Sequence, residues 1–568
     1  MDAVWSCGAP RCGCALVPYV TARRPDGGSS LRWLLRYPAL GMAVIVGGIL
    51  RIWSPGRIAL WRDEVQLVNI AAMPSYRHIV SFLYVHESHP PLFYFLAHFL
   101  GGITGDVASA TSALVLVASI ALIPAGWWLA NLSDIGGAGA TSSLLLAVSV
   151  TLAYFGVQLR PYALVSLCLV IGMAVLVKAT RSSAPQWKLA WALLALCVLY
   201  LHHMGIFIVM AEVAALVVLL LRGCGLAVEA RSWLPWIGLV VVLSLPDLWL
   251  LLHQFRSAGY AAPEPMSLLL PLEQLVALGL ALPGELVLSC AGAVAALWAG
   301  LRKAVGDDRN SYGRAVMAAN GVASTVLLAL LVLASYRSYF LVIQVVIAAV
   351  PLGLVAAGTF MAHCVGARRK WTGALWIAIA GSLLGLSNLF SVGMVKTNTD
   401  LVAKYIEAEA RSDDFILLVP GATGPSFNRF LRRSLSQIDF PMVGPVRIYP
   451  FDQDFERVAS PAALDIALDS ITAVCTDRRR LWLVLLPYWL KIDSAPARLA
   501  SDSFGGLGQA DRARADFLRR SVITQFGSPV RVVRAGRVRF GLEQLSLELF
   551  VRPPENESNE SARPCAAR

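Results

Sequence analysis

Two stretches of this sequence place several polar and ionisable side chains close together. Trp61-Arg62-Asp63-Glu64 is followed about 25 residues later by His86-Glu87-Ser88-His89-Pro90-Pro91-Leu92. Further along stand Gln158-Leu159-Arg160-Pro161-Tyr162, His202-His203 and Tyr336-Arg337-Ser338-Tyr339. A carboxylate in such company could take a proton from a reacting group, and a guanidinium is well shaped to hold an anion. Asp63 and Glu64 are neighbours, and on a helix neighbours point about 100° apart. One can therefore face a cavity while the other anchors backbone or meets a basic group. The plainer reading makes both of them solvated loop charges. Arg160 and Arg337 also have two readings, as side chains snorkelling to an interface or as anion ligands. His89 suits a structural role as well as a chemical one, and Pro90-Pro91 fix an extended lead into a helix. For His202 and His203 the sequence places no third ligand, so they are not read as a metal site.

These residues stand out because the chain is poor in charge. Of its 568 residues 57% are hydrophobic and 15% charged, with a formal net charge of +12; soluble proteins carry about 25% charged residues. The shortage is uneven: about 10% before Val395 and about 26% from Val395 onward. Composition thus divides the chain into a membrane-like body and a tail of ordinary charge. It excludes a single soluble globule, a disordered chain and a secreted disulfide scaffold. A basic surplus in such a chain does not imply nucleic acid, because membrane proteins gather Lys and Arg on cytoplasmic loops.

Apolar runs able to cross a hydrocarbon layer of ~30 Å fall near 38–55, 107–130, 136–156, 161–179, 187–203, 205–222, 233–253, 284–301, 315–335, 339–362 and 371–394. A shorter run from Pro90 to Gly105 is decided by the positive-inside rule. If it does not cross, every basic loop falls on one side, from Arg23-Arg24 through Lys178, Arg222 and Arg302 to Arg368-Arg369-Lys370. The expectation is therefore a polytopic α-helical membrane protein with about eleven spans. Its N-terminal segment, 1–37, faces the cytoplasm, its first outer loop covers about 56–106, and its membrane body runs over 38–394. The ionisable clusters then meet at the outer ends of helices, where such groups pair with one another or mark a site. The first 30 residues lack the pattern of a cleavable signal.

The tail, 395–552, reads as an extracytoplasmic α/β domain. Asp400–Arg411 has helical spacing, Phe415–Val419 and Leu481–Leu486 are short apolar strands, and Leu545–Val551 is an alternating strand. Residues 553–568 read as a disordered end. Cys475 and Cys565 are the tail's two cysteines and could pair. Cys7, Cys12 and Cys14 lack the second ligand pair of a zinc site.

A first outer loop with Asp63-Glu64 and then His89-Pro90-Pro91-Leu92 resembles the protein O-mannosyltransferase relatives of glycosyltransferase family 39. These are membrane glycosyltransferases of the GT-C class, with the aminoarabinose-to-lipid A transferases as cousins. The family's Gln-x-x-Arg-x-Tyr motif is approximated, one residue shorter, by Gln158 to Tyr162. Its late Arg-Tyr motif is approximated by Arg337-Ser338-Tyr339, with a serine inserted, and the likeness continues to Tyr405-Ile406 and Asp414. The resemblance implies a GT-C-like fold in a bacterial inner membrane. It also implies inverting transfer of a sugar from a polyprenyl-phosphate donor to an envelope glycan, lipid or protein acceptor on the outer face. It implies Asp63 as general base beside Glu64 in the catalytic pair, and His89, Arg160, Tyr162 and Arg337 as ligands of donor phosphate or substrate. No metal constellation is visible, so the expected chemistry uses no cofactor, with a divalent cation left open. The partners expected are the lipid-linked donor, the acceptor and the bilayer. The competing classes are a transporter or lipid flippase, and an inactive scaffold of the same fold. Transporters commonly show two related halves, which this sequence lacks.

Overall fold

The computed structural model describes residues 37–54, 59–182, 184–222, 226–257, 285–302, 311–335, 349–366, 396–450, 457, 460–477, 479–486, 505–533 and 545–552. The lead-in before residue 37, residues 258–284, the run 371–394, Arg337 to Tyr339, Cys565 and the end from residue 553 lie outside them.

The body opens with α1 (Pro38–Ile52), started by a proline whose missing amide costs nothing at that position. The stretch expected to form the first outer loop holds α2 (Arg62–Ala71), α3 (Tyr76–His86) and α4 (Leu92–Thr104). Ser75 caps α3 through the His78 amide, and Gly105 ends α4 at φ +78°, a conformation that suits glycine. At 1.5 Å per residue α4 reaches about 20 Å, short of the hydrocarbon layer. The remaining body helices are α5 (Val107–Asn131), α6 (Ala138–Val148), α7 (Val150–Tyr154), α8 (Tyr162–Arg181), α9 (Pro185–Leu201), α10 (Gly205–Arg222), α11 (Leu226–Ser257), α12 (Glu285–Leu301), α13 (Ser311–Ser335) and α14 (Val350–Gly366). Among the described residues five helices are long and apolar enough to cross a membrane, and others are apolar but shorter. Small residues bring these helices close. Gly292 lies so near Ala357, and Gly353 so near Ser289, that a Cβ on either glycine would collide with the opposite helix. On α11 the candidate span Ala230–Gln254 is only 11% buried, and Val241, Leu243, Trp249 and Leu252 point outward.

One expected span is in fact two helices. The run 136–156 breaks at Ser149, whose ψ of 118° leaves the helical region. The break strands carbonyls at the end of α6 and amides at the start of α7, and both ends are served by buried charges. Arg51 donates to Leu146 O at 3.0 Å and Ala147 O at 3.1 Å. Glu285 accepts from Ser149 Oγ at 2.8 Å, Thr151 N at 3.1 Å and Val150 N. The cation thus sits at a helix C-terminus and the anion at a helix N-terminus, the sense the helix dipole favours.

After Lys396 the chain forms α15 (Thr399–Glu409), β1 (Phe415–Val419), α16 (Gly424–Phe430), β2 (Ser436–Asp439), α17 (Pro461–Thr476), β3 (Leu481–Leu485), α18 (Gly505–Phe526), β4 (Arg531–Val533) and β5 (Ser546–Phe550). They build a five-stranded sheet in the order β2-β1-β3-β5-β4. β1 is parallel to β2 and β3, and β5 is antiparallel to β3 and β4. Apolar clusters cover both faces, one with α17 and α18, the other with α15 and Phe427. β1, β3 and β5 are therefore buried at every position. The alternation read for β5 does not mark a solvated face: Glu548 is buried and held by the Arg519 guanidinium at 2.9 Å. Cys475 is disulfide-bonded, to a partner outside the described residues.

Candidate active site

α2 begins where Trp61, in an extended conformation, turns into the helix and its amide is accepted by Glu64 Oε2 at 3.1 Å. That half of a capping box fixes the directions of the two acidic neighbours. The Glu64 side chain points into protein and is fully buried, whereas the Asp63 side chain keeps 23% of its surface accessible. Glu64 Oε1 accepts from Leu159 N at 2.8 Å, and Lys396 Nζ donates to both carboxylate oxygens at 2.8 and 2.7 Å. The sealed carboxylate is thereby compensated and the open one is not enclosed.

Arg160 follows Leu159 and is buried opposite Asp63, with Nη2 3.9 Å from Asp63 Oδ2. Arg62 approaches the other oxygen, its Nε 3.4 Å from Oδ1. The same Nη2 of Arg160 lies 2.8 Å from His89 Nε2, and His89 Nδ1 lies 2.9 Å from Glu87 Oε1. A guanidinium can only donate, so Nε2 is the acceptor and Nδ1–H donates to Glu87. His89 is thus the neutral Nδ1–H tautomer. Its pKa agrees: burial and then the Arg160 charge hold the imidazole below its ordinary value, against the pull of Glu87. Burial alone would raise the Glu87 carboxyl, but the His89 hydrogen bond, the Arg160 charge and the Ser88 amide hold it below its ordinary value. The Tyr162 hydroxyl lies within the electrostatic reach of Arg160 and Asp63. The result is a chain Glu87–His89–Arg160–Asp63, closed at one end by a buried acid and open at the other.

Around it, several buried polar atoms have no hydrogen-bond partner among the described residues: Trp61 Nε1, Tyr94 Oη, Tyr154 Oη, both amide atoms of Gln158 and Arg160 Nε. Buried polar atoms normally find partners, so these atoms have hydrogen-bonding capacity left for groups beyond the described residues. His202 stacks edge-on to His89 at 5.3 Å and lies 5.6 Å from the Tyr162 ring. His203 Nε2 meets Gln254 Oε1 at 2.8 Å, and Gln254 Nε2 donates to Leu83 O at 2.8 Å. Among the described residues no group of three or more His, Cys, Asp or Glu side chains could hold a metal ion.

Of the residues expected from the sequence, Asp63, Glu64, His89, Arg160 and Tyr162 meet here, and Arg337 lies outside the described residues. Glu87 and Lys396 were not singled out. A signal for Glu87 existed, an acid two residues before His89 in a short polar stretch. Lys396 carried a weaker one, as the first charge after the apolar run 371–394. Gln66, which grips the backbone of Tyr449 at 2.8 Å in both directions, gave none.

No protein-family model matches the chain, and no curated protein matches it in sequence. Solved structures share its architecture. The apo-state structure of ArnT from Cupriavidus metallidurans aligns with a TM-score of 0.51 at 12% identity, covering 92% of this chain and 98% of that one. The same protein bound to undecaprenyl phosphate aligns at 0.43 with the same identity and coverage. The archaeal oligosaccharyltransferase AglB from Archaeoglobus fulgidus, in complex with an inhibitory peptide and a dolichol-phosphate, aligns at 0.48 and 12% identity over 84% of this chain and 72% of that one. ArnT and AglB both have GT-C folds, and the likeness to apo ArnT shows that this chain has a membrane GT-C-like fold.

Proposed function

We propose that this protein is a membrane glycosyltransferase that moves a sugar from a polyprenyl-phosphate donor to an acceptor hydroxyl or amine outside the cytoplasm. The observation that carries the reading is the contrast between adjacent carboxylates: Glu64 is sealed by three donors, while Asp63 stays accessible opposite Arg160. Asp63 takes the acceptor proton as the acceptor atom attacks the anomeric carbon from the face opposite the phosphate. The bond from that carbon to the phosphate oxygen breaks, its electron pair leaves with the lipid phosphate, and the anomeric centre inverts. Arg160, with Arg337 as a further candidate, offsets the negative charge growing on the departing phosphate. Glu64 holds the loop, and His89 orients Arg160 by accepting from it. Tyr162 and the unpartnered polar atoms beside it are candidates to contact sugar or acceptor.

This reading includes a topology of about eleven spans with the N-terminus in the cytoplasm of a bacterial cell. The membrane body is 38–394, and the sheet-bearing part, 395–552, lies outside. A disulfide at Cys475 supports that side, since disulfides persist in oxidising compartments.

Asp63→Asn tests it in membranes supplied with radiolabelled polyprenyl-phosphate sugars. Loss of a general base lowers transfer by roughly a hundred- to ten-thousand-fold, with expression and membrane insertion unchanged. Undiminished transfer would remove Asp63 from the mechanism. Net movement of lipid or solute without any transferred sugar would mark a transporter instead.

A further inference from the structure

Glu64 joins three stretches of chain that are far apart in sequence. Trp61, whose amide it accepts, stands two residues before Asp63; Leu159, whose amide it also accepts, stands next to Arg160. The third stretch is Lys396, 1% exposed, whose ammonium is 2.7 and 2.8 Å from the two oxygens. Two residues on, the Asn398 side chain clamps Leu545, donating to its O at 2.8 Å and accepting from its N at 2.7 Å. Leu545 leads directly into β5. A second tie lies further along α2, where Gln66 pairs with Tyr449 and Asn69 donates to Arg447 O at 2.7 Å.

We propose that Lys396 is a positioning residue of the transfer site, acting through Glu64 to fix Asp63 relative to Arg160 and so linking the sheet to the chemistry. The roles of Asp63 and Arg160 rest on the function proposed above; the link does not. A sealed carboxylate is stable only where a cation and enough donors meet it. Without the ammonium, Glu64 keeps its two amide donors but no opposite charge, so it turns toward water, the Trp61 and Leu159 amides are released and the spacing of Asp63 and Arg160 is lost.

The test uses the full-length protein in lipid nanodiscs. Lys396→Met should lower kcat for sugar transfer at least about tenfold while the donor KM stays within about twofold, and Lys396→Arg should recover most of the loss. In the Met variant, hydrogen exchange should accelerate together at 61–66 and 157–161. Lys396→Gln, which keeps a donor for Glu64 but not the charge, should produce the same exchange pattern more weakly, and it carries the test if the Met variant fails to fold. Unchanged kcat, a loss confined to KM, or faster exchange restricted to 396–400 would each overturn the proposal. If the wild-type protein transfers no sugar from any polyprenyl-phosphate donor, the proposed function falls, and the exchange measurement alone decides the link.

Discussion

At the scale of single residues, the site depends on which protons its side chains hold. His89 serves as an acceptor for Arg160 only while neutral. Its pKa in the fold lies below the ordinary 6.5, so the neutral form stabilises the fold above that value and the contribution is lost as pH falls through the lowered one. Glu87, also lowered, acts in the same direction. Both effects weaken the site in acid. Sugar transfer should therefore hold as pH drops to the ordinary histidine value and decline below it. Gln at position 89 can donate to Glu87 and accept from Arg160 without titrating. His89→Gln should keep activity near neutral pH and flatten the acid limb, which a pH–rate profile would record. An acid limb of undiminished steepness would assign the titration elsewhere.

Among the elements, the broken helix α6–α7 matters most, because it delivers Tyr154, Gln158 and Arg160 to the site. Its two stranded ends are satisfied by Arg51 and Glu285, from helices α1 and α12. Truncating Glu285 to Ala leaves the first amides of α7 without their acceptor and Arg51 without a neighbouring opposite charge. Breaking a buried charged arrangement on one side costs about 3–5 kcal/mol, so Glu285→Ala should lower the thermal midpoint in detergent markedly. The double variant Arg51→Met/Glu285→Ala should regain part of that loss, since no uncompensated charge remains. A double variant as unstable as the sum of the singles would mean the two charges act independently.

For the whole molecule, the question is how a membrane body and a sheet share one centre. α16 packs on α2, Gln66 and Asn69 hold the chain between β2 and α17, and Lys396 joins body to sheet at Glu64. The sheet is thus part of the support of Asp63, which makes the side of the membrane it occupies a functional matter. In intact cells or spheroplasts, a membrane-impermeant maleimide should label Cys475 only after reduction, and from the outer side. Labelling without reductant, or solely after the cytoplasm is opened, would contradict the orientation proposed.

Several features were legible in the sequence because they depend on composition and local spacing. Apolar length marked helices in the runs that the described residues cover, a rise in charge content marked the tail, and continuous apolar runs marked β1 and β3. The grouping of Asp63, His89 and Arg160 came from motif order along the chain, which the structure turns into contacts of 2.8 and 3.9 Å. Other features needed the tertiary structure. The break at Ser149 has no proline to announce it, and Arg51 and Glu285 fell within runs read as ordinary spans. Short strands such as β2 and β4 carry too few residues for a pattern. Which of two adjacent acids is sealed and which is open could not be read from their identity. It was decided by Lys396, 332 residues away, because a buried carboxylate is stable only where the fold brings a cation and enough donors to it.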